Sequence, residues 1–236
     1  MTWCFCVLIA FLSGCTNKNI SLNDGRVPLT QRAHNDTRAA TLLPPAKGNP
    51  PVSRTGYFVG IAISGGGSRS ANFSAACMLQ LERIGMLQQV DYISSVSGGS
   101  LTAAYYCASD NDHWNPDTVQ RALSYSFASD LIRRFLMPWN LAATFFSDYD
   151  RSDLIAEIFQ EQLFSRNGRG LRYADLRPDR PRLLINATDL QSGHKFVFCN
   201  ETFDDLNSDL SQYPLAWACA ASAAVPVLLH QVTLRD

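Results

Sequence analysis

Two short stretches carry residue types that could do chemistry together: Gly65-Gly66-Gly67-Ser68-Arg69 and Ser95-Val96-Ser97-Gly98-Gly99. In the second, Ser97 is flanked at two-residue spacing by Ser95 and Gly99, the small residues that a strained strand-to-helix elbow requires, and such an elbow holds its serine hydroxyl proud of a sheet. In the first, three glycines leave backbone N–H groups with no Cβ to block a ligand oxygen, and a following helix adds its positive N-terminal end. Attack by a serine on an acyl carbonyl creates an oxyanion, and preorganised backbone donors stabilise it. One turn offers a nucleophile, Ser97, and the other an oxyanion hole from Gly65, Gly66 and Gly67. Arg69 would either hold an anionic group or steady the loop.

The elements that must position these turns are legible on either side. A β-rich run, Tyr57 to Ser64, precedes the glycines, and a helical pattern follows with Phe73, Cys77, Leu81 and Ile84 on one face and Gly85 at its end. Val90 to Ser94 is a second strand, and Ser100 to Tyr106 opens a second helix. Asn115-Pro116 starts a helix with a cap residue and proline in the first turn, with Val119, Leu123 and Phe127 as its apolar face. Leu131 to Phe146 is strongly apolar, broken by Pro138; it reads first as helical core, and otherwise as a lid or a surface that dips into a lipid interface. Ser152 to Phe164 is a helix with Ile155, Phe159 and Leu163 on one side, ended by Asn167-Gly168. Arg182–Thr188 and Lys195–Cys199 are strands around the turn Gln191 to His194, and Pro214 to Ala224 is an Ala-rich helix stopped by Pro226. Strands alternating with helices predict a layered α/β domain with a largely parallel sheet, its site beyond the carboxyl ends of the strands.

The two turns together resemble those of the patatin-like phospholipases, serine lipid acyl hydrolases. Gly65-Gly66-Gly67-Ser68-Arg69 is similar to the family's Gly-Gly-Gly-x-Arg oxyanion segment, and Ser95-Val96-Ser97-Gly98-Gly99 to its Gly-x-Ser-x-Gly elbow with serine for the first glycine. Asn186-Ala187-Thr188-Asp189-Leu190, with Gly193 and Phe196-Val197-Phe198, and Ala221-Ser222-Ala223-Ala224-Val225-Pro226 resemble later segments of the same family. The resemblance implies a three-layer α/β fold with a mainly parallel central sheet flanked by helices, and a Ser–Asp dyad acting on phospholipid or related lipid esters without a cofactor. It also implies that the general-base aspartate stands in an Asp-Gly-Gly or Asp-Gly-Ala motif. No Asp-Gly follows Ser97, and Asp236 comes too early, so the expectation is a C-terminally incomplete domain whose base lies beyond residue 236 and which is inactive as the 236-residue chain.

Other readings remain open on the residues. A hydrolase triad in the chain order Ser97, Asp189, His230 is one. A nucleotide-binding turn, Gly65-x-Gly67-x-x-Ser70, lacks its third glycine. A non-catalytic truncated lipoprotein is a further alternative. His34, His113 and His194 lie in tether or turn positions, and no metal-ligand cluster is visible.

The apolar run Trp3 to Leu12 is too short to span a bilayer but suits the h-region of a signal peptide over residues 1–14, although no Lys or Arg precedes it. Leu12-Ser13-Gly14-Cys15 resembles a bacterial lipobox, which implies a lipidated Cys15 and, with Thr16 following, the periplasmic face of the outer membrane. Residues 15–56, rich in Asn, Thr and Pro, read as a flexible tether. Residues 57–236 suffice for one domain with its own core. A net charge of −1 with scattered basic residues argues against a nucleic-acid partner. Cys77, Cys107, Cys199 and Cys219 sit singly in apolar patterns and read as buried small hydrophobes.

Overall fold

The computed structural model describes residues 57–147, 149–225 and 229–235, with 21–23 and 28, and only the backbone of Phe145. The signal segment, Cys15, His34, most of the tether and Pro226 lie outside the described residues. Strand β1 (Gly60–Ile63) leads into helix α1 (Gly67–Arg83), and β2 (Tyr92–Val96) into α2 (Gly98–Ala108). Four further helices follow: α3 (Pro116–Leu123), α4 (Phe127–Phe135), α5 (Pro138–Phe146) and α6 (Arg151–Gln162). A small hairpin, β3 (Ser165–Arg166) with β4 (Arg169–Gly170), precedes β5 (Arg182–Thr188), β6 (Lys195–Phe198), α7 (Asn200–Asp205) and α8 (Leu215–Ala223). The main sheet has the order β1-β2-β5-β6; β1, β2 and β5 are parallel and β6 is antiparallel to β5. This is the expected α/β sheet, mainly parallel and flanked by helices.

Local signals set several boundaries. At the end of α1, Gly85 adopts a φ of 74°, its N–H donates to the Glu82 carbonyl, and the Met86 N–H donates to that of Leu81. Those two bonds satisfy carbonyls the helix leaves open, and the left-handed backbone is what makes glycine the residue there. Asn115 accepts from the Thr118 N–H and Pro116 occupies the first turn of α3, as the spacing predicts. Asp150 and Asp153 form a reciprocal capping box at the start of α6.

The interior is one apolar cluster in which α2 is the central helix: all of its residues are buried. Phe198, Phe203 and Tyr213 pack ring against ring at centroid distances of 5.4–5.9 Å around the β6 side. Cys107, Cys199 and Cys219 are buried free thiols, and burial pushes the Cys107 thiol up to about 12, so these residues behave as small hydrophobes. At the chain's other end, the Asn23 side-chain amide donates to the Arg235 carbonyl at 2.7 Å and accepts from the Arg235 N–H at 2.8 Å. That pairs a residue of the N-terminal segment with backbone beyond α8.

Five expectations need correction. The buried face of α1 is Ala71, Ser74, Ala75 and Met78, whereas Phe73 is 74% exposed, Ile84 is 62% exposed, and Cys77 lies on the exposed side. Ala71, Ser74 and Ala75 face inward where α2 lies close enough for the Thr102 hydroxyl to reach the Ala71 carbonyl at 2.7 Å. Phe127 is buried but opens α4; α3 buries Val119 and Leu123 alone. Asn167 and Gly168, with φ of 53° and 73°, form the turn of the β3–β4 hairpin and do not end the preceding helix, a two-residue turn chemistry that suits Asn-Gly. The stretch from 131 to 146 is not simply core: Phe135 is buried, while Ile132, Leu136, Trp139 and Phe146 are exposed. Cys77, finally, is the one described cysteine that is exposed.

The α1 correction has a direct test. Phe73→Ser shifts stability by no more than about 0.5 kcal/mol, as surface changes do, whereas Ala75→Leu overpacks the α1–α2 contact and costs about 1–3 kcal/mol. Denaturant unfolding of the two variants measures both, and the opposite order would return Phe73 to the core.

Candidate functional site

The register of the sheet brings the two turns side by side. Ile63 of β1 pairs with Ser95 of β2, so two residues later Gly65 and Ser97 emerge abreast at the carboxyl ends of their strands. A Cβ built on Gly65 would lie 3.2 Å from that of Ser97. The contact one residue on is tighter: a Cβ on Gly98 would stand 2.0 Å from the Gly67 carbonyl oxygen, and one on Gly99 would stand 2.4 Å from Ile63 Cγ2 and 2.8 Å from the Ser64 carbonyl oxygen. No side chain fits at either position. Glycine is therefore demanded at Gly98 by the Gly67 backbone, and at Gly99 by the Ile63 side chain and the Ser64 carbonyl together.

Ser97 itself has φ 54° and ψ −128°, a strained conformation for a residue with a Cβ. Strain of this kind persists only where the surroundings hold it. Here the Ser97 N–H donates to the Ser222 hydroxyl at 2.7 Å, and the same hydroxyl donates to the Asn186 carbonyl at 2.6 Å. Asn186, at the end of β5, in turn donates through Nδ2 to Ser94 Oγ at 2.9 Å and to the Ser95 carbonyl at 3.0 Å. Ser100, in the first turn of α2, lies with its Oγ 3.3 Å from that of Ser222. The elbow is thus tied to β5 and to the C-terminal end of α8. Ser95 is fully buried, its hydroxyl on the Leu184 carbonyl at 3.3 Å, so a small residue is required there as the spacing implies.

The glycine turn is exposed and open. Gly66 and Gly67 take φ of 148° and 60°, and the Ser70 hydroxyl closes back on the Ser64 carbonyl. Gly66 caps α1 without a side chain, and no described acceptor takes the N–H of Gly66 or Gly67. These donors, next to a half-buried Ser97 at the mouth of the helix N-terminus, form a cradle suited to a negative oxygen. Ser68 and Arg69 lie exposed in the first turn of α1, and Arg69 has no partner among the described residues.

Other candidates fall elsewhere. Asp189 is partly exposed and engaged in its own turn, accepting from the Gln191 N–H at 2.9 Å and the Ser192 hydroxyl at 2.5 Å; the Ser192 bond holds its carboxyl below the usual range. His230 is buried against the start of α6, with Nδ1 3.9 Å from Asp150 Oδ2 and its carbonyl accepting from the Ser152 hydroxyl. Asp189 and His230 thus face different partners, and neither is bonded to Ser97. His113 is exposed and bonded to Asp110, and His194 is exposed in its turn. Among the described residues no carboxylate or imidazole is bonded to the Ser97 hydroxyl, and no group of three or more His, Cys, Asp and Glu could hold a metal ion.

Asn186 and Ser222 are the site residues that motif reading passes over. Each sits in a stretch that the family pattern marks, but neither has a spacing that announces a clamp. Only their convergence from β5 and α8 on one elbow reveals the role.

Ser222→Ala removes the acceptor of the Ser97 N–H and the bond to Asn186, and costs about 1–3 kcal/mol in denaturant unfolding; unchanged stability would remove the clamp from the account of the elbow. His230 generates a second expectation. Burial depresses its folded-state pKa below the ordinary 6.5, opposed by Asp150 and reinforced by Arg151. The unfolded chain therefore takes up the proton first, and the contribution of His230 is full above pH 6.5 and is lost as the pH falls toward the folded value. Thermal midpoints followed across that window fall on acidification, and His230→Gln flattens the fall.

Compared with known proteins, residues 61–236 match the family model described as patatin-like phospholipase. Similar solved structures include human GIVD cytosolic phospholipase A2, at 16% identity and a TM-score of 0.48, covering 72% of this chain and 28% of that one. The ExoU–SpcU complex from the type III secretion system of Pseudomonas aeruginosa is similar at 18% identity and a TM-score of 0.44, covering 70% and 36%. VipD from Legionella pneumophila follows at 14% identity and a TM-score of 0.38, covering 72% and 43%. The chain thus spans 28–43% of the length of these proteins. No curated protein sequence matches it.

Proposed function

Since this chain belongs to the patatin-like phospholipase family, we propose that it is a serine acyl hydrolase acting on phospholipid or related lipid esters, with Ser97 as the nucleophile. The observation that carries this reading is the left-handed elbow: Ser97 at φ 54°, clamped through its N–H to Ser222 and abreast of a glycine turn whose donors have no described partner. In this mechanism the Ser97 hydroxyl attacks the ester carbonyl and loses its proton to a general base. The oxyanion forms against the N–H groups of the Gly65–Gly67 turn and the N-terminal end of α1, which need no reorganisation as charge develops. Collapse expels the alcohol as leaving group and leaves an acyl-Ser97 ester, which water then hydrolyses.

The base in this proposal is the aspartate of the family's Asp-Gly motif, carried by sequence beyond residue 236. The bond of Asp189 to Ser192 within its own turn and the place of His230 beside Asp150 support that assignment. Among the described residues no helix is long and apolar enough to cross a membrane. Attachment to the bilayer through a lipidated Cys15, on the periplasmic face of the outer membrane, belongs to the same proposal and is supported by the Leu12-Ser13-Gly14-Cys15 sequence.

A fluorophosphonate probe tests the reading. The product of the extended reading frame reacts and its Ser97→Ala variant does not, while the 236-residue chain reacts at least about 100-fold more slowly, the scale on which a general base accelerates such steps. Labelling of the 236-residue chain that His230→Ala abolishes would replace the dyad with a histidine-based triad.

A further inference from the structure

The surface of α4 and α5 departs from what a solvated helix pair presents. Along α4, Ile132 and Leu136 are 61% and 54% exposed; along α5, Trp139 and Phe146 are 67% and 90% exposed, with exposed Ala142 between them. Helix α5, Pro-Trp-Asn-Leu-Ala-Ala-Thr-Phe-Phe, contains no charged residue. Trp139, Ala142 and Phe146 recur at helical spacing on a helix with no charge of its own, and an exposed apolar face of this composition is a surface that something apolar covers.

Charge at its border selects the occupant. Arg133 stands between Ile132 and Leu136 with its side chain 66% exposed, and its guanidinium gives Nε and Nη2 to Asp130, its one described partner, so that its other N–H donors have no described acceptor. Arg133 and Trp139 share the wall of a cleft of about 360 Å³ with Tyr149 and Glu157. An exposed indole, aliphatic side chains and a guanidinium with spare donors suit the zone where phosphates meet acyl chains.

Both ends of the pair are fixed to elements that carry the site. Asn72, in α1 just past the glycine turn, donates to the carbonyl of Leu123, from which the chain enters α4. Beyond α5, Asp153 of α6 accepts from Trp217 Nε1 at 3.0 Å, on the helix whose other end holds Ser222 against the elbow.

We propose that the exposed face of α4 and α5, Ile132, Leu136, Trp139 and Phe146 with Arg133 at its border, is an interfacial docking surface for a phospholipid bilayer. The apolar side chains enter the acyl boundary and Arg133 meets lipid phosphate. The proposal rests on the acyl-hydrolase reading for its substrate class, and is tested by binding and not by turnover.

The experiment uses the full chain with Cys15→Ser, so that no acyl anchor contributes, and vesicles of phosphatidylcholine with and without phosphatidylglycerol. Co-sedimentation and tryptophan emission are the readouts. The parent pellets with vesicles and its emission shifts to the blue, a shift lost in Trp139→Phe. Trp139→Ser/Phe146→Ser lowers the partition coefficient about tenfold or more, as does the independent pair Ile132→Ser/Leu136→Gln, and Arg133→Gln weakens binding most on anionic vesicles. Unchanged circular dichroism melts certify folding. Vesicle binding equal to the parent in both pairs, or absent from the parent, overturns the proposal. So does a concentration-dependent dimer that both pairs dissociate, which would assign the face to a second copy. Fluorophosphonate labelling of Ser97 in detergent separates the two readings: patch-dependent binding by a protein that never labels would sink the hydrolase and leave the docking surface standing.

Discussion

The structure depends on one contact, the backbone of Gly98 against the carbonyl of Gly67, where even a methyl group would stand 2.0 Å from the oxygen. Two parallel strands end level, and the chain must turn sharply at both ends into helices that then run alongside one another. The turns can be neighbours only if Gly98 carries no side chain, while Gly67 is held to glycine by its positive φ of 60°. Everything chemical about the site follows from that proximity. It sets the serine beside the open N–H groups and gives one small volume both a hydroxyl and a positive helix end. A larger residue at Gly98 would push Ser97 away from the N–H groups of the glycine turn.

Proximity alone would not keep Ser97 in a left-handed conformation. Strain of roughly 1–3 kcal/mol at such a residue has to be offset locally, and α2 does part of this by being buried along its whole length. The rest comes from a chain of bonds, Ser97 to Ser222, Ser222 to Asn186, and Asn186 back to Ser94 and Ser95, which joins three elements remote in sequence. Because Ser222 and Asn186 each both donate and accept, loss of either leaves other polar groups without a partner. The elbow is therefore a property of the folded domain and not of the pentapeptide that contains it.

The same domain is uneven in what it buries. Helix α1 turns Ala71, Ser74, Ala75 and Met78 inward and leaves Phe73 and Ile84 outside, with the small residues where α2 comes close. Helices α4 and α5 bury Phe127 and Phe135 and leave four large apolar side chains outside. The acyl hydrolase proposed above would have a use for such a surface, since lipid esters reside in an aggregate and not in solution. Within α4, Asp130 pairs with both Arg133 and Arg134, and Arg134 reaches across to Glu161 of α6. Burial opposes the ionised form of Asp130, but the bonds from Arg133 and Tyr125 and the nearby guanidiniums outweigh it and hold the carboxyl below its usual range.

The sequence by itself determined the two turns, the alternation of strand and helix, the caps at Asn115 and Gly85 and the hairpin of β5 and β6. Each of these is a local decision: glycine where φ must be positive, a cap residue where N–H groups would be orphaned, alternation where a strand has a buried face. The sequence also marked Asn186 and Ser222 as belonging to recognisable segments, without their purpose. Tertiary structure decided which face of α1 is core, because periodicity identifies an apolar stripe but not the spacing of the helix that lies opposite. It made Asn167-Gly168 a hairpin turn, since the same dipeptide ends a helix or reverses a strand according to what the next residues pair with. It separated Asp189 from His230 and joined Asn186 to Ser222, because which side chains meet across a sheet depends on register and strand order, and neither is written in any single segment.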